Sequence, residues 1–231
     1  MPANFLDMHF VDFCQLNCKH CYLNKGSRVM PLDMLRAICA ENGHITMSTN
    51  GILIPHFIHM FQKNDGIQVS INGDWKTHDR IRGKGSYDNA IAALECLQEH
   101  GINHSIGIAL CKPNFHCIDH LSEHCKRYDC TTMNFMSYQS FNKKSDKTVR
   151  FTDWVKAKEY VSPHVQTLVT CVETGCVAGI CGLGVTPDLK FWDCPRHQEI
   201  VGRYPQPIQK VIKKTENRVN PFDTCCKYLR W

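Results

Sequence analysis

From Phe5 to Phe13 the stretch FLDMHFVDF alternates in part between apolar and polar positions and is rich in aromatic and branched residues, the pattern of a strand. Pro31 then opens PLDMLRAICAENG, where proline suits a first helical turn and Gly43 a stop. The alternation repeats along the chain. ITMS reads as a strand ending in a TNG turn, PHFIHMFQKN as a helix, IQVSI as a strand, and YDNAIAALECLQEHG as a helix. SIGIAL reads as a strand, CIDHLSEHCKRYD as a helix and TTMNFMS as a strand. Five strands separated by helical stretches imply right-handed crossovers and a parallel sheet, open or curling toward a barrel. A complete eight-fold barrel typically needs about 250 residues. The expected fold class is therefore α/β, a partial (β/α) barrel of about five or six parallel strands whose C-terminal tips carry the chemistry.

After Phe141 the texture changes. NKKSDKTVR is a polar, basic connector, TDWVKAKEYVSPHVQTLVT has a helical pattern interrupted at Pro163, and from Cys171 the chain is rich in cysteine and glycine. A boundary near 150 divides the chain into 1–150 and 151–231.

The chain has 231 residues, 43% of them hydrophobic, enough for one sizeable domain with a small appendage. No run of about 18 apolar residues is present to cross a bilayer, and MPANFLDMHF has neither the basic start nor the apolar core of an export signal. The expected address is the cytoplasm, with no membrane partner. Net charge is +5 and the sequence pI is near 8.5, short of the pI above about 9 of a dedicated nucleic-acid binder, so nucleic acid is not an expected partner.

Fifteen cysteines change the picture. A chain of this length needs no covalent staples, intracellular thiols are kept reduced, and an odd count does not fit a complete disulfide framework. Metal or cluster ligation is the better reading. Cys14, Cys18 and Cys21 fall in FCQLNCKHCYLN, directly after the first predicted strand. C-x2-C suits many sites, zinc among them, but a closed structural zinc needs four ligands. Three cysteines on a cluster of four irons would leave one iron without a protein ligand and open to a small molecule.

This C-x3-C-x2-C spacing followed by the aromatic Tyr22 resembles the signature of the radical S-adenosylmethionine (radical SAM) superfamily. STNG (Ser48 to Gly51) resembles the strand-tip turn midway along those barrels. VSINGDWKTHDRIRGKGSYDNAIAAL resembles the next strand and helix in the peptide- and protein-modifying branch, with a serine-led S-x-x-G tip ahead of an HD-x-x-R stretch. The resemblance implies a 4Fe-4S cluster on Cys14, Cys18 and Cys21. It implies S-adenosylmethionine (SAM) chelated to the open iron and reductively split to a 5'-deoxyadenosyl radical that abstracts hydrogen. It also implies that Ser48, Asn50, Ser70, Asn72 and Arg82 line the SAM site, with Tyr22 near the adenine; the plain alternative for Arg82 is a solvated turn residue. One departure stands out. The family's GGE-type stretch, which holds the amino group of SAM, has no counterpart between Cys21 and STNG, an interval too short for helix, strand and helix.

Cys181-GLGVTPDLKFWD-Cys194, followed by Cys225 and Cys226, resembles the auxiliary-cluster appendage of the same branch, called SPASM or in its shorter form Twitch. Leu189 stands where that appendage has a glycine. Six cysteines, Cys171, Cys176, Cys181, Cys194, Cys225 and Cys226, are available, and Cys176, Cys181, Cys194 and Cys225 are the first choices for an auxiliary iron-sulfur cluster. A structural zinc is the alternative there. The resemblance implies a peptide or protein substrate, modified by crosslinking, epimerisation or oxidation, and an external one-electron donor such as flavodoxin or ferredoxin. Two other readings remain open: radical oxidation or rearrangement of a small metabolite such as a sugar or nucleoside, and a zinc-binding module without catalysis. No catalytic acid or base is singled out.

His116, His120 and His124 recur at i, i+4, i+8 and share a helical face opposite Ile118, Leu121 and Cys125. They read as a solvated outer surface. Cys39, Cys96, Cys117, Cys125 and Cys130 read as small buried hydrophobes, and KVIKKTENR as a solvated helix.

Overall fold

The computed structural model describes residues 5–18, 20–21, 25–42, 46–137, 149, 151–161, 165–169, 182–193 and 198–216. Along the chain these form β1 (Phe5–Met8), α1 (Leu32–Asn42), β2 (Thr46–Thr49), α2 (Ile54–Phe57), β3 (Gly66–Ser70), α3 (Trp75–Arg82), α4 (Ser86–Glu99) and β4 (His104–Leu110). They continue with α5 (Ile118–Arg127), β5 (Thr132–Ser137), α6 (Phe151–Glu159), β6 (Gln166–Val169), β7 (Gly182–Val185), β8 (Lys190–Trp192), β9 (Ile200–Arg203) and α7 (Ile208–Glu216). The architecture is that of a mostly parallel sheet with flanking helices, as expected from the alternation of strand and helix patterns. The chain divides into two compact units.

The first unit draws on Met1–Gln15, Tyr22–Met47 and Thr174–Arg230. In it β1 runs parallel to β7, from Phe5 opposite Gly182 to Met8 opposite Val185, and Asp7 pairs with Thr46 of β2. β8 and β9 continue from β7 as antiparallel strands. α7 buries Ile208, Val211, Ile212 and Thr215, the i, i+3, i+4, i+7 stripe of an amphipathic helix, while its lysines face out. Within α7 this basic stretch is thus solvated on one face only. The strand expected over Phe5–Phe13 stops at Met8, because its ladder with β7 ends there. Residues beyond turn to a new partner, with Val11 bridging Val29.

The second unit comprises Leu16–Cys21 and Ser48–Glu173. β3, β4, β5 and β6 are parallel neighbours in that order. Period-2 alternation separates their faces. Ile67, Val69, Ile71, Ile106, Ile108, Leu110, Met133 and Phe135 are wholly buried on the face that packs α4 and α5. α4 meets it with Ala90, Ala93, Leu94 and Leu97, α5 with Ile118, Leu121 and Cys125. Each fully buried aliphatic side chain here contributes about 1.5–3 kcal/mol. The opposite face is mostly small and polar, with Gln68, Ser70, Ser105, Gly107, Ala109, Thr132 and Asn134, and Met136 beside Ala109 is its one large apolar side chain among these paired positions.

Three local expectations differ from what is observed. PHFIHMFQKN forms one α-turn and a 3-10 turn (Ile58–Met60) rather than a full helix. None of these residues is buried, only Ile54 just ahead of them is, and Phe57 stays exposed, so there is no packed face to hold a longer helix. The helical pattern after Thr152 ends at Glu159, and QTLV beyond Pro163 is a strand, fixed by pairing Thr132–Phe135 with Gln166–Val169. WKTHDRIR forms the separate helix α3, started by Asp74, whose carboxylate accepts the Thr77 N–H at 2.8 Å.

Candidate functional site

The cysteine loop leaves β1 through a clasped stem. Asp12 N–H donates to the Arg28 carbonyl, Met30 N–H to Phe10 and Gly26 N–H to Asp12. The buried Asp12 carboxylate accepts both the Arg28 backbone N–H, at 2.7 Å, and its guanidinium. Arg28 also reaches Asp188 in the β7–β8 turn at 3.2 Å. A side chain at Gly26 would strike the Asp12 carboxylate at 2.7 Å, so glycine is what lets the two arms close. Cys14, Cys18 and Cys21 are reduced thiols of intermediate exposure, and Cys21 N–H donates to the Cys18 carbonyl at 3.1 Å. Such partly accessible thiols, outside any disulfide, suit a cluster that must meet a small ligand.

The strand tips of the second unit hold the other predicted residues. At the β2 tip Asn50 Oδ1 accepts the Ile52 N–H at 3.1 Å and Thr49 Oγ1 the Gly51 N–H at 3.1 Å, which shapes the STNG turn. Gly51 has φ +89° and abuts Ala93, so both its conformation and the space exclude a side chain. Ser48 Oγ accepts from Gln68 Nε2 at 2.9 Å, and Gln68 Oε1 accepts from Asn134 Nδ2 at 2.6 Å, a polar bridge along the face away from the helices. Ser70 and Asn72 are both buried at the β3 tip. Asn72 N–H donates to His78 Nδ1 at 3.1 Å, and Asn72 Oδ1 accepts the Ala109 N–H at 3.1 Å. The latter bond fixes the amide orientation and leaves Nδ2 as a buried donor with no acceptor among the described residues.

Arg82 is half-buried at the end of α3. Burial, then the Arg82 charge, lowers His20 of the cysteine loop to about 4. Burial first and Arg82 second likewise lower His78 to about 3. Both rings are neutral at pH 7, and His78, accepting at Nδ1, carries its proton on Nε2. This placement differs from a solvated turn for Arg82. His20, His78, Gln68 and Asn134 were not singled out in the sequence. His78 and Gln68 could have been found from strand and helix phase around the S-x-x-G and HD-x-x-R stretches; His20 and Asn134 left no such signal. Tyr22, Cys176, Cys181, Cys194 and Cys225 lie outside the described residues, as do Cys171 and Cys226. The TPDLKFWDC hairpin is present as β7–β8, and Leu189, at the family's glycine position, has φ +64°. One helix, α1, separates the cysteine loop from β2, so among the described residues no strand stands between them to carry a GGE-type tip.

Residues 28–125 match the model of the radical SAM superfamily, starting just after the cysteine loop. Over this stretch the chain is similar to that superfamily. Over 97 residues, 40% of this chain, it is 32% identical to mycofactocin maturase MftC of Mycolicibacterium smegmatis (strain ATCC 700084 / mc(2)155). It spans 25% of the length of that relative. Streptococcus suis SuiB bound to precursor peptide SuiA superposes with a TM-score of 0.71 at 15% identity, covering 91% of this chain and 64% of that one. Native anSMEcpe with bound AdoMet and Kp18Cys peptide gives a TM-score of 0.67 at 13% identity, covering 94% and 82%. At these identities the two structures bear on the fold alone, a mostly parallel sheet with flanking helices. Among the described residues no helix is long and apolar enough to cross a membrane.

Proposed function

We propose that this chain is a peptide-modifying radical SAM enzyme in which Cys14, Cys18 and Cys21 hold a 4Fe-4S cluster. The observation that carries the reading is the spacing of these three thiols on a clasped loop directly after the first parallel strand. When bound, the cluster and SAM together supply reductive cleavage of the sulfonium and hydrogen abstraction from the substrate. The chain's own residues bind and orient. Asn72 Nδ2, a buried donor with no acceptor among the described residues, offers a hydrogen bond to a polar group of SAM. Ser70, Ser48 and Asn50 present strand-tip oxygens and backbone, Arg82 brings positive charge beside the cysteine loop, and Tyr22 is assigned to the adenine. Neutral His20 and His78 line the same region without adding charge to it.

A peptide substrate is supported by SuiB, solved with a precursor peptide, and by anSMEcpe, solved with a peptide. The barrel occupies 1–150 in this reading. The region 151–231 carries an auxiliary iron-sulfur cluster on Cys176, Cys181, Cys194 and Cys225, and a flavodoxin- or ferredoxin-like donor supplies electrons. The test is anaerobic reconstitution with iron and sulfide, reduction with dithionite, and chromatography of SAM products. Conversion of SAM to 5'-deoxyadenosine and methionine, abolished in the Cys14→Ala/Cys18→Ala/Cys21→Ala variant, is expected. An iron-loaded protein that leaves SAM intact overturns the reading. Iron retained by the triple variant reports the auxiliary cluster; none retained removes it. A short peptide encoded beside this chain should raise 5'-deoxyadenosine formation and change mass. Stimulation by a sugar or nucleoside instead would overturn the peptide assignment.

A further inference from the structure

Two parallel neighbours, β3 and β4, end at the same edge of the second unit, and each is followed by a potential metal ligand. Gly73 and Asp74 follow the β3 tip; a 3-10 turn (Lys112–Cys117) follows β4 and ends on His116 and Cys117. The ligand atoms of Asp74, His116 and Cys117 all lie within 4.8 Å of one another. His116 Nε2 and Cys117 Sγ are 3.4 Å apart. Tetrahedral zinc, with bonds of about 2.0–2.1 Å to nitrogen and about 2.3 Å to sulfur, places neighbouring ligand atoms about 3.3–3.8 Å apart. The imidazole–thiol pair already spans such an edge, and the carboxylate lies within 4.8 Å of both. We propose that Asp74, His116 and Cys117 form a divalent-metal site for zinc, with three protein ligands and a fourth position open to solvent on the His116 side.

The surroundings are built for this. Asp74 Oδ1 is held by the Thr77 N–H at 2.8 Å, so the carboxylate is oriented from behind, as an outer-shell partner orients a metal ligand. Gly73, at φ +139°, would place a Cβ 2.9 Å from Thr77 and 3.0 Å from Cys117 Sγ, so only glycine lets the β3 tip approach the thiol this closely. Cys117 is buried and His116 exposed, which gives the site a dry wall and an open mouth. One carboxylate, one imidazole and one thiolate are a borderline donor set that suits zinc better than magnesium or calcium. The i, i+4, i+8 histidines therefore divide: His116 joins the metal site, while His120 and His124 hydrogen-bond Tyr87.

The proposal is tested on the full chain, reconstituted anaerobically so that iron fills the cluster sites, then equilibrated with Zn2+, dialysed and analysed for metal. Wild type and a His56→Ala control should retain one zinc equivalent more than Asp74→Asn, His116→Ala and Cys117→Ser. Asn remains a good helix cap, so Asp74→Asn removes the anionic ligand while keeping α3, and His116 is exposed. These two variants decide the matter even if Cys117→Ser does not fold. Equal zinc in all proteins, or an equal loss in His56→Ala, overturns the site. Zinc is read without SAM turnover, so failure here and failure of the radical SAM reading are separate results.

Discussion

Asn72 uses its side-chain oxygen to tie the β3 tip to β4, and its buried Nδ2 meets no acceptor among the described residues. Asn72→Asp retains the acceptor for the Ala109 N–H but replaces the donor with a second acceptor. A hydrogen bond involving a charged group is worth about 1.5–3 kcal/mol, so SAM affinity should fall roughly ten- to a hundredfold, measured by equilibrium dialysis of the reconstituted protein. An unchanged affinity would remove Asn72 from the SAM site. Leu189 presents the opposite case, a residue whose backbone suits another side chain. At φ +64° it pays the left-handed penalty of about 1–2 kcal/mol for a residue with a Cβ. The turn holds it there: its N–H donates to Thr186 and its carbonyl accepts from Tyr204, both at 2.9 Å. Leu189→Gly should raise the denaturation midpoint and the β-branched Leu189→Val should lower it. The reverse order would show that the partly buried leucine side chain outweighs backbone strain.

At the level of elements, two glycines in strands show how close approach is distributed. Gly184 on β7 faces Trp192 on β8, and any Cβ there would overlap the indole, which is itself buried and packed edge-on against His9 at 4.8 Å. The ring has no room to retreat, so Gly184→Ala should cost about 1–3 kcal/mol, the usual range for overpacking, in urea unfolding. Gly107 on β4 would meet the Gln68 amide at 2.6 Å. A glutamine end can swing aside, so Gly107→Ala should cost less while breaking the Ser48–Gln68–Asn134 bridge. Equal costs for the two would contradict this difference in rigidity. The same logic explains why the cysteine loop needs Gly26, where the obstacle would be the carboxylate that clasps its stem.

Across the whole molecule, three histidines of the second unit are held neutral: His20 near 4, His78 near 3 and His124 near 4, each chiefly by burial. Their folded values lie below the ordinary 6.5, so the unfolded chain binds more protons between those limits. The stability they contribute is fully present above about 6.5 and is lost as pH falls toward 4 and 3. Wholly buried His78 alone contributes a slope of at most about 1.4 kcal/mol per pH unit in that window. Urea unfolding should therefore show stability falling from pH 7 to pH 5, and His78→Asn, which keeps an acceptor near the Nδ1 position, should flatten the slope. A stability independent of pH over that range would refute the buried neutral state.

The sequence by itself determined the alternation of strand and helix, the parallel sheet and the position of the cysteine loop after β1, because these rest on local periodicity and spacing. It also contained the β7–β8 hairpin, through its turn residues. Only the tertiary structure decided that QTLV is a strand, since four residues take that form from pairing with β5, and that α2 is a single turn. The clasp of Asp12 and Arg28, the hydrogen bond of Asn72 with Ala109 and the meeting of Asp74 with His116 and Cys117 likewise join residues 16, 37 and 43 or fewer positions apart. Contacts at such separations depend on how strands stack and where their tips end, which no local pattern encodes.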